Sequence, residues 1–128
     1  MSYKIEGQIL GFESVKEVEI HKIDDMFFTM QDVDNENISF TIVNPYMLRE
    51  YSFDITPDIK ELLEIHENSS LSAYNIVVIQ KPLEDSNINF LAPIIINNDN
   101  NKIAQIILDA KRHPDYGMTE TIKSFRKD

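Results

Sequence analysis

The sequence has 128 residues with 12 basic and 22 acidic side chains, so its formal net charge at neutral pH is −10. Such an acidic chain is poorly suited to bind nucleic acid directly, because phosphate binding requires clustered Lys and Arg. It contains no Cys, which excludes disulfides, thiol nucleophiles and Cys-based zinc sites. The length predicts one domain.

The N-terminal residues lack the uninterrupted apolar core of a signal peptide. No stretch approaches the ~20 apolar residues that a membrane-spanning helix needs. We therefore expect an unexported cytoplasmic protein that does not bind a membrane.

The first third of the chain predicts a series of strands. Nineteen Ile residues favour β structure, because β-branched side chains fit a pleated, half-buried surface. Alternation of apolar and polar residues predicts strands over residues 3–10, 16–23, 26–31 and 38–43. Asn44-Pro45 ends this ladder, since Pro has no N–H to donate.

A mixed segment follows, with a short strand predicted over residues 52–55. Thr56-Pro57-Asp58 has the signature of a helix start: a hydroxyl cap, Pro in the first turn and an acid near the positive end of the dipole. Apolar residues at Ile59, Leu62 and Leu63 then predict one short helix that ends near Ile65.

The nearly continuous apolar run over residues 71–80 predicts a central strand that is buried on both faces. Residues 88–97 and 102–108 flank the run Asn98-Asp99-Asn100-Asn101, whose members tolerate left-handed backbone, so a hairpin is predicted there. Pro93 interrupts the first arm and predicts an edge position or a bulge.

Residues 109–128 differ in character from the body. They carry a net charge of about +1 and lack alternation, whereas residues 1–108 carry −11. We expect a β domain over residues 1–108 and a C-terminal tail over residues 109–128 that is loosely docked or mobile. At most, residues 119–125 form a weak helix.

Motifs for catalysis or for metal binding are not convincing. The spacing Asp32-x-Asp34-x-Glu36 resembles the start of a calcium loop, but Asn37 stands where a Gly is needed and Val43 where a Glu is needed. No Ser has a Gly-rich elbow, and no Gly-rich loop could hold a phosphate. The three His residues show no metal-ligand spacing. We therefore predict no enzyme activity, no metal and no cofactor.

The charge is the clearest functional signal. A strongly negative body can steer a basic protein partner, because complementary fields raise association rates. The competing interpretation is that acidity only keeps the protein in solution. From the residues alone, both interpretations stay open.

Seven segments along the chain carry a resemblance to a known family: residues 9–13 (ILGFE), 27–31 (FFTMQ), 38–45 (ISFTIVNP), 51–55 (YSFDI), 89–97 (NFLAPIIIN), 105–108 (QIIL) and 112–114 (RHP). In content and in order, these segments resemble the flagellar assembly factor FliW family. The resemblance covers about residues 3–114. The sequence departs from the family pattern at Ala110 and Lys111, which replace a more acidic lead into Arg-His-Pro.

This resemblance implies a mainly β fold, a small antiparallel β-barrel-like domain with one short helix, without catalysis. It also implies two protein partners that bind in turn: flagellin, held before export as by a chaperone, and the translational regulator CsrA. Free protein would bind CsrA and relieve its repression of flagellin synthesis, and accumulating flagellin would reverse this. We expect the chain to be a monomer when it is free.

Three groups of residues are candidate partner contacts. Asp32, Asp34 and Glu36 could steer a basic partner. Asn44, Pro45 and Tyr46 could anchor a partner, because the aromatic ring of Tyr46 lies beside the point where Pro45 rigidly interrupts the strand ladder. An irregular strand at a sheet edge is expected at Leu91, Ala92 and Pro93. The competing interpretation is packing into the barrel for Tyr46 and a structural bulge for Leu91, Ala92 and Pro93.

Alternative functions are an acidic inhibitor of another basic partner and a β-barrel that binds a small molecule in its interior. A chain this short and rich in Ile is expected to fill such an interior with side chains. An enzyme would require His and carboxylate groups that converge in a cleft.

Overall fold

Nine β-strands make up most of the regular structure in the computed structural model, which describes residues 2–125. The strands are β1 (Ser2–Ile5), β2 (Glu17–Lys22), β3 (Phe27–Asp32), β4 (Ser39–Val43), β5 (Leu71–Val78), β6 (Asn87–Ile88), β7 (Ile94–Asn97), β8 (Lys102–Gln105) and β9 (Glu120–Thr121). One helix, α1 (Pro57–Leu62), accompanies them, and short 3-10 turns lie at Pro45–Met47, Leu83–Asp85 and Ile122–Phe125.

Seven strands close into a barrel in the order β4-β3-β2-β1-β8-β7-β5, and β5 pairs back to β4. β1 and β8 run parallel, and the other neighbouring strands of the barrel are antiparallel. β6 and β9 extend the sheet beside the second half of β5. Where β4 pairs with residues 75–77 of β5, closure covers backbone groups that an open sheet would expose. The prediction of a mainly β, barrel-like domain with one short helix is confirmed.

The meander β2-β3-β4 matches the sequence-based prediction to within one residue at each end. Its first turn is stabilised by Asp24, whose Oδ1 accepts hydrogen bonds from the backbone N–H groups of Met26 and Phe27, both at 2.8 Å. Local polar residues and alternation were sufficient to predict this part of the fold.

The first strand is shorter than the alternation predicts. β1 ends at Ile5 rather than at Leu10, and Gly7 follows it with a φ of +83°. Gly11 has a φ of +87°. Left-handed backbone cannot continue a strand, so the fully buried Ile9 reaches the core from a loop.

Apolar side chains fill the barrel interior. The buried members of this interior cluster are Ile5, Ile9, Val15, Val18, Met30, Phe40, Ile42, Ile94, Ile96 and Ile103. Two further clusters cover parts of the outer wall, one around Tyr51 and Phe90 and the other around Leu63 and Ile95.

The strand that is buried on both faces is β7, not the run over residues 71–80. Successive residues of a strand face opposite sides, and Ile94 and Ile96 pack into the interior whereas Ile95 packs into an outer cluster. In β5, buried residues alternate with half-buried ones. The prediction was wrong because the apolar residues at the end of that run, Val78 and Ile79, lie on the surface.

Residues 52–55 do not form the predicted strand, although they alternate between exposed and half-buried positions. The helix that follows begins at Pro57, as predicted, and ends at Leu62, three residues earlier than predicted. Glu64 has a φ of +57°, which stops the helix. The fully buried Leu63 joins this turn to an outer cluster.

The hairpin predicted around residues 98–101 is confirmed as β7-β8, with shorter arms than expected. Asn101 adopts left-handed backbone with a φ of +58°, and its carbonyl accepts a hydrogen bond from Lys4 at 2.9 Å. Pro93 lies between β6 and β7 in an irregular segment that is buried rather than at an edge. The edge position predicted there is wrong, and residues 90–92 form a turn and a bend between the two strands.

The described part of the C-terminal segment packs on the body. β9 pairs with β6, and the buried Ile122 donates its N–H to the carbonyl of Ser86 at 3.2 Å. A strand and a 3-10 turn replace the weak helix predicted over residues 119–125. Residues 126–128 of the predicted tail lie outside the described residues. The division into a body and a separate tail stays a prediction.

The left-handed residue of the β7-β8 turn gives a stability test. Asn101→Val places a β-branched side chain at a φ of +58°, so we expect the free energy of unfolding to fall by roughly 1–3 kcal/mol. Asn101→Gly keeps this backbone accessible and serves as the control. Urea denaturation measures both, and equal stability of the two variants would contradict the role given to this turn.

Candidate protein-binding surface

Tyr51 lies at the centre of a polar and aromatic cluster on the outer wall of the barrel. Its hydroxyl donates to the carbonyl of Phe90 at 2.5 Å and accepts from Nδ2 of Asn75 at 3.1 Å. The same Nδ2 donates to the carbonyl of Asn89 at 2.9 Å. Burial raises the pKa of the Tyr51 hydroxyl above its usual value. The cluster ties β5 to the irregular segment after β6.

Aromatic side chains surround Tyr51, with ring centroids 4.8 Å to 6.3 Å from its own. They belong to Tyr46, Phe53, Phe90 and Tyr116. Such edge-to-face and tilted pairs add to the free energy gained from burial alone.

Arg49 attaches the C-terminal segment to this cluster. Its guanidinium lies 4.8 Å from the ring centroid of Tyr116, 5.1 Å from that of Phe90 and 5.3 Å from that of Phe125. It also forms an ion pair with Glu120, with an N–O distance of 3.3 Å. Cation–π contacts and an ion pair therefore act on the same partly buried side chain.

A second attachment comes from Tyr116. Its hydroxyl accepts from the N–H of Ser52 and donates to the carbonyl of the same residue, both at 2.9 Å. The ring of His113 stacks on Tyr116 with a centroid distance of 5.3 Å. Part of the Arg-His-Pro motif thus packs against the segment that holds Tyr51.

The predicted anchor at Asn44, Pro45 and Tyr46 follows the end of β4. Oδ1 of Asn44 accepts from the N–H of Tyr46 at 3.1 Å and caps the 3-10 turn, and Pro45 is buried. The Tyr46 side chain is 56% exposed. Its role as a partner contact stays a prediction, but its position leaves the ring accessible.

A groove beside Tyr46, here called the Tyr46 groove, has a volume of about 270 Å³. Its walls are formed by Tyr46, by residues 51–53, by Ile55 and by the start of β5 with Ile95 behind it. Tyr46 and Leu71 are large apolar side chains exposed at its rim. A wider groove of about 580 Å³ lies between the β2-β3 turn and the C-terminal segment, where it meets Phe27, Met47 and Phe125.

The residues Leu91, Ala92 and Pro93 lie within the wall and not at its edge. The carbonyl of Leu91 accepts from Leu108 at 2.7 Å, and that of Pro93 accepts from Ile106 at 2.9 Å. Ala92 is buried, and Leu91 is half-buried. The expected edge position is therefore corrected, because β8 and the residues after it continue to pair along this segment. A partner contact at these residues stays a prediction.

Of the acidic candidates, Asp32 is the last residue of β3, and Asp34 and Glu36 lie in the connection between β3 and β4. Asp34 and Glu36 are exposed, whereas Asp32 is buried and its Oδ1 accepts from the N–H of Asp34 at 3.0 Å. The acidic group precedes β4, and the group of Asn44, Pro45 and Tyr46 follows β4. The five residues of β4, at about 3.4 Å each, therefore separate the two groups. The structure does not bring the three predicted groups together into one site.

Metal binding has no support in the part of the chain that the structure describes, since no three His, Asp or Glu side chains gather there in a way that could hold an ion. Arg49, Tyr51 and Tyr116 are not among the contact residues predicted from the sequence. Tyr46 and Phe53 lie near Tyr51 in the sequence, but the rings that complete the cluster belong to Phe90 and Tyr116, about 40 and 65 residues later in the chain. Local patterns carry no information about such contacts.

Comparison with known families gives a match to the FliW protein model over residues 2–122, which is nearly the whole chain. The chain belongs to the FliW family of flagellar assembly factors. The family prediction made from the sequence is thereby confirmed.

Individual relatives agree with the FliW assignment. The chain is 46% identical to flagellar assembly factor FliW 2 of Wolinella succinogenes over 98% of this chain and 92% of the relative. It is 46% identical to flagellar assembly factor FliW of Sulfurimonas denitrificans over 99% of both chains. A crystal structure of the flagellar assembly factor FliW shares the fold with a TM-score of 0.86, at 23% identity, over 99% of this chain and 87% of that one.

Helices of the FliW fold described here are short. No helix within residues 2–125 has the length and apolar character required to cross a membrane.

Removal of one hydroxyl tests the Tyr51 cluster. Tyr51→Phe removes the hydrogen bond to the carbonyl of Phe90 and leaves one of the two N–H donors of Asn75 Nδ2 without its partner, so we expect the free energy of unfolding to fall by about 1–3 kcal/mol. Tyr46→Phe is the matched control, because that side chain is exposed, and it should change stability by less than about 0.5 kcal/mol. Denaturation that gives equal values for the two variants would contradict the central role of Tyr51.

The attachment by Arg49 gives a second test. Arg49→Lys keeps the charge but loses the planar group that lies over three rings, so the amide of Ile122 should exchange with solvent on the order of tenfold faster. Arg112→Lys is the control, because Arg112 is exposed and has no ion pair among the described residues. Unchanged exchange at Ile122 in Arg49→Lys would rule out this attachment.

Proposed function

We propose that the chain binds flagellin in the bacterial cytoplasm before export and, when free of flagellin, binds CsrA and antagonises it. The protein acts by binding and not by catalysis. The observation that carries this proposal is the family match, which covers residues 2–122 and is accompanied by relatives that align over nearly their full length. Fold likeness at 23% identity adds nothing about partners.

The charge supports a basic partner. The chain carries a net charge of −10, and surfaces that bind RNA are generally basic. An acidic surface raises the rate at which such a protein is encountered and can compete with RNA for it. An RNA-binding regulator is therefore a physically suitable partner.

Exposed apolar side chains support a second mode of contact. Tyr46 and Leu71 stand at the rim of the Tyr46 groove, and Met47 lines the wider groove. Aromatic side chains with an apolar body and a polar tip are frequent anchors in protein interfaces. These positions can be used by a partner without unfolding the barrel.

Exchange of partners needs only modest coupling. If flagellin and CsrA contact overlapping patches, binding of one excludes the other directly. If the patches are separate, a coupling free energy on the order of 1–3 kcal/mol is enough to change affinity by roughly 5- to 150-fold. Accumulating flagellin would then release CsrA and restore repression of flagellin synthesis.

Size-exclusion chromatography tests the proposal. The purified chain is mixed with CsrA, and flagellin is then added to the complex. We expect a complex with CsrA that dissociates as a complex with flagellin forms. The absence of a complex with either protein would refute the proposed function.

Charge reversal tests electrostatic steering. Asp34→Lys combined with Glu36→Lys should slow association with CsrA by roughly tenfold at low salt and should flatten the salt dependence of the rate. Asp32 is left unchanged, because its side chain holds the connection between β3 and β4. The control is Glu61→Lys with Glu67→Lys, which makes the same charge change at exposed positions in and after α1. Equal association rates of the two double variants would exclude steering by the acidic connection.

A further inference from the structure

The first half of β5 has a neighbouring strand on one side only. β7 pairs with residues 71–74, whereas β4 pairs only with residues 75–77. β4 ends because Pro45 has no N–H, and the carbonyl of Pro45 accepts from Leu48 and Arg49 instead of from β5. The barrel is thus closed along one half of β5 and open beside the other half.

The alternation of backbone groups between the two edges of β5 shows which of them are unpaired. The carbonyl of Ser70 accepts from Asn98, and that of Ile76 accepts from Asn89, so even-numbered residues of β5 face β7 and β6. Backbone groups alternate between the two edges of a strand. The N–H and C=O groups of Leu71 and Ala73 therefore point to the open side, where the described residues provide no strand.

Space is available at this edge. Leu71, Ser72 and Ala73 form one wall of the Tyr46 groove, and residues 51–53 with Ile55 form the opposite wall. The backbone groups of Phe53 and of Asp54 have no hydrogen-bond partner among the described residues either. The groove therefore has an apolar lining with unpaired backbone groups along its sides.

We propose that residues 71–74 of β5 are a docking edge for an extended peptide segment of a partner protein, which continues the path that β4 leaves at Pro45. A helix cannot occupy this edge in the same way, because its own backbone groups are paired internally. An added strand satisfies the groups of Leu71 and Ala73, and pockets for its alternate side chains give selectivity.

The surroundings define the peptide further. Tyr46, Leu71 and Ile55 favour apolar side chains at alternate positions of the segment. The carboxylates of Glu50 and Asp54 are exposed near the groove and have no ion pair within residues 2–125. Together with the net charge of −10, they favour Lys or Arg at the ends of the segment. The binding mode is independent of which protein supplies the segment, and so it goes beyond the proposed function.

The free protein gives the first measurement. Amide hydrogen exchange of the ¹⁵N-labelled full chain should be faster at Leu71 and Ala73 than at Ser72 and Tyr74, whose N–H groups point to β7. Equal protection at all four amides would show that the edge is not open and would overturn the proposal.

A synthetic peptide gives the second measurement. The probe is acetyl-Lys-Val-Thr-Val-Thr-Val-Lys-amide, which alternates apolar and polar residues between basic ends. At millimolar concentration it should produce saturable NMR shift changes at Leu71 and Ala73 and should slow their exchange about fivefold or more. No saturable change at these amides up to the solubility limit of the peptide would overturn the proposal.

Three controls separate the alternatives. The same peptide with an N-methyl group on every residue cannot donate a backbone N–H to the edge, so equal binding by it would refute backbone pairing. Tyr46→Ser should weaken binding, and Ile107→Ala, a change at an exposed apolar residue outside the groove, should not. Shift changes at Leu71 and Ala73 that depend on protein concentration without peptide would assign the edge to a second copy of this chain and would overturn the proposal of a partner peptide.

Discussion

Hydrogen bonding of the strand edges is the constraint on which the structure depends. A sheet of seven short strands exposes two rows of unpaired backbone groups unless it closes, and here β4 and β5 provide the closure. The closure is incomplete because Pro45 ends β4 before the first half of β5 is covered. Closure places alternate side chains in the interior and leaves the others on the outside, where the connecting segments cover them in the outer clusters. The open edge of β5 follows from the early end of β4.

The outer layer is held by a few side chains with several contacts each. Tyr51 combines two hydrogen bonds with aromatic contacts, and Arg49 combines cation–π contacts with an ion pair to Glu120. Both lie between the 3-10 turn after β4 and α1, and both reach the segment after residue 109. The same short stretch of chain therefore supports the barrel wall, attaches the C-terminal segment and borders the Tyr46 groove. Changes in this stretch are expected to alter stability and surface shape together.

Membership of the FliW family and the negative charge both support the proposed function, which is the binding of other proteins. Charge acts at long range and without fine geometry, so it suits the first encounter with a basic partner. The groove and the open edge of β5 act at short range and can select a sequence. Their separation from the acidic connection between β3 and β4 gives the surface two regions that different partners can use.

The sequence by itself determined the family, the mainly β fold, the meander β2-β3-β4 and the β7-β8 hairpin, because these depend on alternation and on turn residues close together in the chain. It also placed Asn44, Pro45 and Tyr46 at the end of a strand. Only the tertiary structure decided that β7 is buried on both faces, that Leu91, Ala92 and Pro93 are paired within the wall, and that part of the segment after residue 109 is docked. Those features depend on contacts between residues far apart in sequence, such as Arg49 with Phe125, and a local pattern carries no information on which distant segment will cover it.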